Sequence, residues 1–398
     1  MRLSALLLAA ALLVTSASAQ TFQVLYTFNF TDGSTPNGSL IRDNAGNLYG
    51  TTQLGGTSGR GVVYKLTPTG EETILYNFTG KTDGGIPIGR LLGDAQDNLY
   101  GITSLGGDPT CSCGTVFKLA PSGTLTVLHS FLGGTDGAQN SGQPELGLVM
   151  IGTDLYGSAS FGGVSGCDGS LGCGVVFKVT QTGEETVLYR FTGKADGAFP
   201  QDLSADSQGN LYGATGGSYS QGNTGTLFKM TTTGAMTVLY TFPGGAVGNS
   251  PRWRLLRSAG GTFYGVTQFG GDTDCPIASS GCGVAFMVNP AGKESVLHTF
   301  NTQAQDGQEP SGGTVDGAGN LYGATFYGGI VNATCTFGCG VIYGIASNGS
   351  YKILYSFTGG NDGWIPTGGL TPDGAGNLYG TAVNGGGSNN GVVYKITP

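Results

Sequence analysis

Seven copies of one tripeptide constrain this chain more than any other feature. Leu48-Tyr49-Gly50, Leu99-Tyr100-Gly101, Leu155-Tyr156-Gly157, Leu211-Tyr212-Gly213, Phe263-Tyr264-Gly265, Leu321-Tyr322-Gly323 and Leu378-Tyr379-Gly380 recur at spacings of 51 to 58 residues. A Gly-Val-Val-Tyr/Phe-Lys segment follows each copy, beginning at Gly61, Gly114, Gly174, Gly225, Gly283, Gly340 and Gly391. A third run, Val-Leu-Tyr-x-Phe, ends at Phe28, Phe78, Phe131, Phe191, Phe242, Phe300 and Phe357. A short apolar stretch such as Gly368-Gly369-Leu370 precedes the tripeptide. A period of this size marks a supersecondary unit that buries its apolar face by stacking on copies of itself.

The runs are short, rich in Val, Leu, Tyr and Phe, and bounded by Gly, Asp, Asn and Pro, so they read as strands. We name them A (apolar stretch), B (Leu-Tyr-Gly), C (Gly-Val-Val-Tyr-Lys) and D (Val-Leu-Tyr-x-Phe). Four antiparallel strands per unit, repeated seven times, predict an all-β, seven-bladed β-propeller over residues 20–398. The first mature segment, Phe22 to Phe28, is a D strand without A, B or C. The last, Gly391 to Pro398, is a C strand without D. Pairing them completes the seventh blade in a three-plus-one closure and removes the open edges. The C-to-D span is constant, as in Tyr64 to Tyr76 and Phe177 to Tyr189, which fixes the pairing register.

Residues 1–19 read as a signal peptide: Arg2, an apolar run from Leu3 to Val14, then Ala17-Ser18-Ala19 as a cleavage site. Export to the cell surface or medium is expected, with no membrane insertion of the mature chain. Lys plus Arg number 17 against 25 Asp plus Glu, a formal charge of −8, which disfavours a nucleic-acid binder. The 77 glycines lack a Gly-X-Y period, so collagen is excluded.

Strand alternation puts the A–B and C–D turns on one face and the B–C and D–A connections on the other. The B–C loops vary most in length, so ligand recognition is expected on the B–C/D–A face. All eight cysteines fall in the four longest B–C loops, two per loop. In an exported chain they read as disulfides Cys111–Cys113, Cys167–Cys173, Cys275–Cys282 and Cys335–Cys339, with zinc the disfavoured rival.

Catalytic constellations are scarce. His129 and His298 occupy a strand D position that is Tyr in other units, so they read as packing groups. Asp43, Asp94, Asp206, Asp316 and Asp373 begin A–B turns, where Asp accepts backbone N–H bonds. Asp32, Asp83, Asp136, Asp196, Asp306 and Asp362 precede a Gly in the D–A connection. They too read as turn residues, with Ca²⁺ ligation as the alternative. No metal or other cofactor is the primary expectation. The fifth unit departs from the pattern with Arg252-Trp253-Arg254, and the seventh with Trp364. These four are the candidate ligand-binding residues, placed to stack on a sugar or pair with an anion near the channel mouth.

The pattern Asp373-Gly374-Ala375-Gly376-Asn377-Leu378-Tyr379-Gly380-Thr381, then Gly-Gly, then Gly391-Val392-Val393-Tyr394-Lys395-Ile396-Thr397-Pro398, resembles the Gloeo/Verruco (GloVer) tandem repeat of exported "choice-of-anchor" bacterial proteins. The resemblance covers nearly all of the mature chain. It implies a secreted or surface repeat protein and no established activity. The expectation is an exported, monomeric, non-catalytic binding or scaffold protein with a glycan or cell-surface partner. The alternatives are a secreted carbohydrate-active enzyme using Asp residues at the channel mouth, and a purely structural surface protein.

Overall fold

The computed structural model describes residues 20–137, 147–167, 172–217, 222, 224–258, 260–275, 280–301 and 306–398. The expected signal peptide lies outside the described residues. Seven antiparallel sheets form, one for each sequence repeat. In blade 2 the order from the axis outward is Gly85–Gly93 (A), Leu99–Leu105 (B), Thr115–Leu119 (C) and Leu125–Ser130 (D). The other blades repeat this order, and the molecule is a seven-bladed β-propeller.

Closure follows the expected route. Strand D of blade 7 is Thr21–Thr27, paired antiparallel with the final strand, Val392–Thr397. Every C–D pair carries the same irregularity. The register slips at the leucine of Val-Leu-Tyr, for example between Val24 and Tyr26 and between Val127 and His129. The constant C-to-D length therefore encodes a constant bulge as well as a register.

Two contacts explain why the repeat has the residues it has. The glycine of Leu-Tyr-Gly lies under the strand C aromatic: a Cβ on Gly101 would come within 2.5 Å of the Phe117 ring, and one on Gly213 within 2.6 Å of Phe228. Only glycine lets strand B pass beneath a ring that closely. The strand D phenylalanine then crosses the seam. Phe78 meets Phe117 of the next blade at 5.2 Å in an edge-to-face contact, and Phe28 meets Tyr64 at 5.1 Å. Such pairs add to the burial of apolar area that holds neighbouring blades together. These rings are fully buried.

Candidate functional site

The repeat aspartates of the A–B turns are structural clasps. Asp94 Oδ1 accepts the Gln96 and Asn98 backbone N–H groups at 2.9 Å each, and Oδ2 accepts the Asn98 side chain at 2.8 Å and the Tyr100 hydroxyl at 2.9 Å. Asp43, Asp206, Asp316 and Asp373 do the same with their own Asn and Tyr. The tyrosine of Leu-Tyr-Gly is thus tied to the turn that precedes it.

The D–A aspartates form a second clasp. The Tyr26, Tyr76, Tyr189 and Tyr355 hydroxyls donate to Asp32, Asp83, Asp196 and Asp362 at 2.8, 3.1, 3.2 and 3.0 Å. Where strand D has histidine the ring faces the same carboxylate: His298 Nε2 lies 2.8 Å from Asp306, whereas His129 Nε2 lies 3.8 Å from Asp136, beyond hydrogen-bond distance. The six carboxylates sit one per seam and do not converge. Among the described residues no three His, Cys, Asp or Glu side chains are grouped to hold a metal ion. The connection between blades 4 and 5 lacks the Asp. There Glu294 of the next blade stands close to Tyr240 instead, adding to the burial that raises its phenol.

On the same face the cysteines meet as Cys111–Cys113, Cys167–Cys173, Cys275–Cys282 and Cys335–Cys339. Two pairs press on the D–A connection of their own blade. A Cβ on Gly133 would lie 2.9 Å from Cys111 Sγ, and one on Gly359 2.6 Å from Cys335 Sγ. The disulfide thus ties the long loop down onto its neighbour. Above this brace the large apolar side chains come out into solvent. Phe30, Leu54, Leu132, Val164, Val331 and Phe337 are exposed; five lie on B–C or D–A segments, and Leu54 ends its strand B at the same face. Only Val296, on an outer strand, is exposed elsewhere among the described residues. They stand in three outcrops. The Phe30 and Leu54 segments are joined by Gly56 N–H to Phe30 O, and the Leu132 and Val164 segments by Gly163 N–H to Gly134 O. Val331 and Phe337 share one disulfide-closed loop.

The four candidate residues are not brought together. Trp253 is 3% exposed: its indole N–H donates to Pro310 O at 3.2 Å and its ring packs on Phe326. It has no free ring face for a sugar, and the stacking expectation is corrected to a seam contact between blades 5 and 6. It adopts φ +72°, the conformation that Gly89 takes in blade 2 at +70°. Trp364 is partly exposed on the expected face, its indole N–H directed at Asn389 at 3.4 Å. Arg252 is half-buried on strand A. Arg254 lines a cavity on the axis together with Arg42, Thr371 and Pro372 at the A–B ends of their strands. That is the end opposite to the one expected. Two residues of this cavity, Arg90 and Asp202, were not singled out from the sequence. The signal was available: each replaces a Gly or Ser of the other repeats. Clefts between blades 1 and 2 and between blades 4 and 5 also open on the A–B side.

The sequence matches the family described as the Gloeobacter/Verrucomicrobia repeat over residues 12–167, 114–277 and 220–398. The chain belongs to that family. No curated protein matches the sequence. Among solved structures, this Gloeobacter/Verrucomicrobia repeat protein is similar to the extracellular domain of a hybrid two-component system from B. thetaiotaomicron. The TM-score is 0.53 at 15% identity, over 94% of this chain and 41% of that one. The chain thus spans about two-fifths of that neighbour's length. A gluconolactonase from Xanthomonas campestris aligns at a TM-score of 0.45 and 13% identity, over 98% and 93% of the two chains. At these identities the likeness is one of fold.

Proposed function

We propose that this propeller is an exported, non-catalytic binding or scaffold protein that engages a cell-surface partner through its B–C/D–A face. The observation that carries the reading is the gathering of Phe30, Leu54, Leu132, Val164, Val331 and Phe337 on that face, the last four on or beside loops braced by disulfides. Exposed large apolar groups cost solubility, and clustering them on one side is what an interaction surface requires. Three outcrops on different blades suit an extended partner that touches several blades at once, rather than a solute in a pocket. The disulfides lower the entropy lost when such loops are immobilised on binding. Export is supported by the expected signal peptide and by the paired cysteines, which belong to an oxidising compartment.

The reading is tested with immobilised envelope fractions and a polysaccharide panel. Wild type should bind an envelope fraction, and the triple variant Phe30→Ser, Leu132→Ser, Phe337→Ser should lose at least tenfold in affinity with its melting curve unchanged. Equal binding by the triple variant would overturn it. The glycan form of the partner centres on Trp364, the candidate aromatic that remains partly exposed. It fails if Trp364→Ala leaves polysaccharide binding as it was.

A further inference from the structure

The four disulfides are not alike. Cys167, Cys173, Cys275, Cys282, Cys335 and Cys339 are at most 7% exposed, whereas Cys111 and Cys113 are only half-buried. The buried pairs have sequence separations of 6, 7 and 4; Cys111 and Cys113 have a separation of 2. A cross-link stabilises more the longer the loop it closes, so this ring, closed through Ser112 alone, gains least. Its loop is also held without it. Asp108 O accepts the Ser112 N–H at 2.7 Å, Asp108 Oδ1 accepts the Thr110 N–H at 2.8 Å, and Ser112 Oγ accepts the Gly106 N–H at 2.9 Å. An accessible disulfide that contributes little to the fold is the kind that exchanges with thiols.

The two sulfurs differ in their surroundings. Cys111 stands between exposed Thr110 and Ser112, while Cys113 leads into buried Gly114 and packs against the core shared by blades 2 and 3. Gly133, at φ +75°, lies against both: a Cβ there would come 2.9 Å from Cys111 Sγ and 3.1 Å from Cys113 Sγ. Only glycine lets the D–A connection pass so close to the pair. The residue before it, Leu132, is 64% exposed. An exposed apolar side chain beside an accessible disulfide is a surface that a thiol-bearing segment can cover as it reacts.

We propose that Cys111–Cys113 is a redox-active disulfide that exchanges with a cysteine thiol of a partner protein, with Cys111 the sulfur attacked and Leu132 the contact that seats the partner. The incoming thiolate bonds to Cys111 Sγ, the S–S bond breaks, and Cys113 leaves as a thiolate that takes up the proton the thiol gave. A second partner thiol attacks the mixed disulfide and releases Cys111. The two incoming thiols end as one disulfide, Cys111 and Cys113 end as two thiols, and two electrons have passed to the propeller. Small thiols can drive the same exchange without an envelope partner on the face, so this reading and the binding reading can each fail alone.

The test uses the full mature chain, equilibrated in glutathione buffers of graded ratio, quenched in acid, alkylated and mapped by mass spectrometry. Before any reductant is added no cysteine should be alkylated. Cys111 and Cys113 should then react at a ratio of reduced to oxidised glutathione roughly tenfold or more below that needed by the other six, with the circular dichroism spectrum unchanged. Cys113→Ser should hold glutathione on Cys111 as a mixed disulfide, and Cys111→Ser should take it up at Cys113 roughly tenfold more slowly. The wild-type titration decides even where a serine variant fails to fold. A cysteine peptide flanked by leucines should exchange several-fold faster than glutathione, and Leu132→Ser should remove that preference. Free Cys111 or Cys113 in the untreated protein, reduction no easier than that of the buried pairs, faster modification at Cys113 than at Cys111, or a peptide no faster than glutathione would overturn the proposal.

Discussion

Three strand C rings carry a hydroxyl that no described residue bonds. Tyr64, Tyr343 and Tyr394 are fully buried, and their hydroxyl oxygens have no hydrogen-bond partner among the described residues. Burial pushes all three phenols far above their ordinary range. Blades 2 to 5 place Phe117, Phe177, Phe228 and Phe286 at the same point. A buried, unsatisfied hydroxyl costs about 1–3 kcal/mol. Tyr343→Phe should therefore raise stability by about 1 kcal/mol or more, read as a higher urea midpoint with an unchanged slope. A lower midpoint would show that the hydroxyl has a partner. The aromatic position itself was legible in the sequence, because it repeats. Its hydrogen bonding was not, because satisfaction depends on groups from the next blade. Trp253 shows the same limit. The sequence marks it as exceptional, but the strand A register slips between Arg252 and Leu256, so simple alternation cannot say which side it faces.

At the scale of the strand, the first paired residue of D decides what covers the Tyr–Asp clasp of the preceding blade. It is Glu72, Leu125, Glu185, Met236, Glu294 and Tyr351 in blades 1 to 6, and in blade 7, where Thr21 also pairs, the equivalent residue is Phe22. Tyr351 stacks on His298 at 3.7 Å and donates to Asp306, while Phe22 stacks on Tyr355 at 3.7 Å. The glutamates meet the same surface less comfortably. Burial, with Asp32 adding repulsion, pushes Glu72 up to about 7. Burial, with Asp136 adding to it and Arg190 opposing, does the same to Glu185. A carboxyl raised from 4.5 to about 7 binds its proton more tightly in the folded chain. Its favourable contribution is whole below pH 4.5 and is lost as pH rises through 7. The A–B turn aspartates act in the opposite sense. Burial raises Asp206, but the Asn210 side chain and backbone N–H and the Tyr212 hydroxyl outweigh it and hold the group at about 2. That contribution is present above the ordinary carboxylate range and fades as pH falls toward 2. Glu72→Leu, which copies blade 2, should accordingly stabilise the protein more at pH 8 than at pH 4.5. Melting curves at the two values decide it. An equal shift at both would mean that Glu72 titrates normally. None of this was readable from the repeat, where the glutamates look like an ordinary solvated edge.

For the whole molecule, the junction between Val392–Thr397 and Thr21–Thr27 should behave as one more C–D turn that happens to be cut. Its register matches the intact ones. Ile396 pairs with Phe22 as Leu66 pairs with Glu72, with the same slip at the following leucine. Its aromatics cross both seams, Phe28 to Tyr64 and Phe357 to Tyr394, at 5.1 and 5.3 Å. Pro398 stands where Pro68 stands in the turn Thr67-Pro68-Thr69-Gly70 of blade 1. Joining Pro398 to Thr21 through Thr-Gly should then rebuild that turn without strain, and the chain can be reopened in the equivalent turn of blade 2, between Ser122 and Gly123. The permuted protein buries the same surface and loses only the freedom of one short loop. It should be monomeric by light scattering and melt within a few degrees of the parent. Removing residues 20–28 instead leaves the edge of Val392–Thr397 bare and takes Phe28 away from Tyr64. An uncovered edge recruits other chains, so this form should self-associate, and a synthetic 20–28 peptide added in trans should return it to monomer. A permutant that cannot fold, or a truncated form that stays monomeric with the parent melting curve, would show that the ring is not sealed by this pairing.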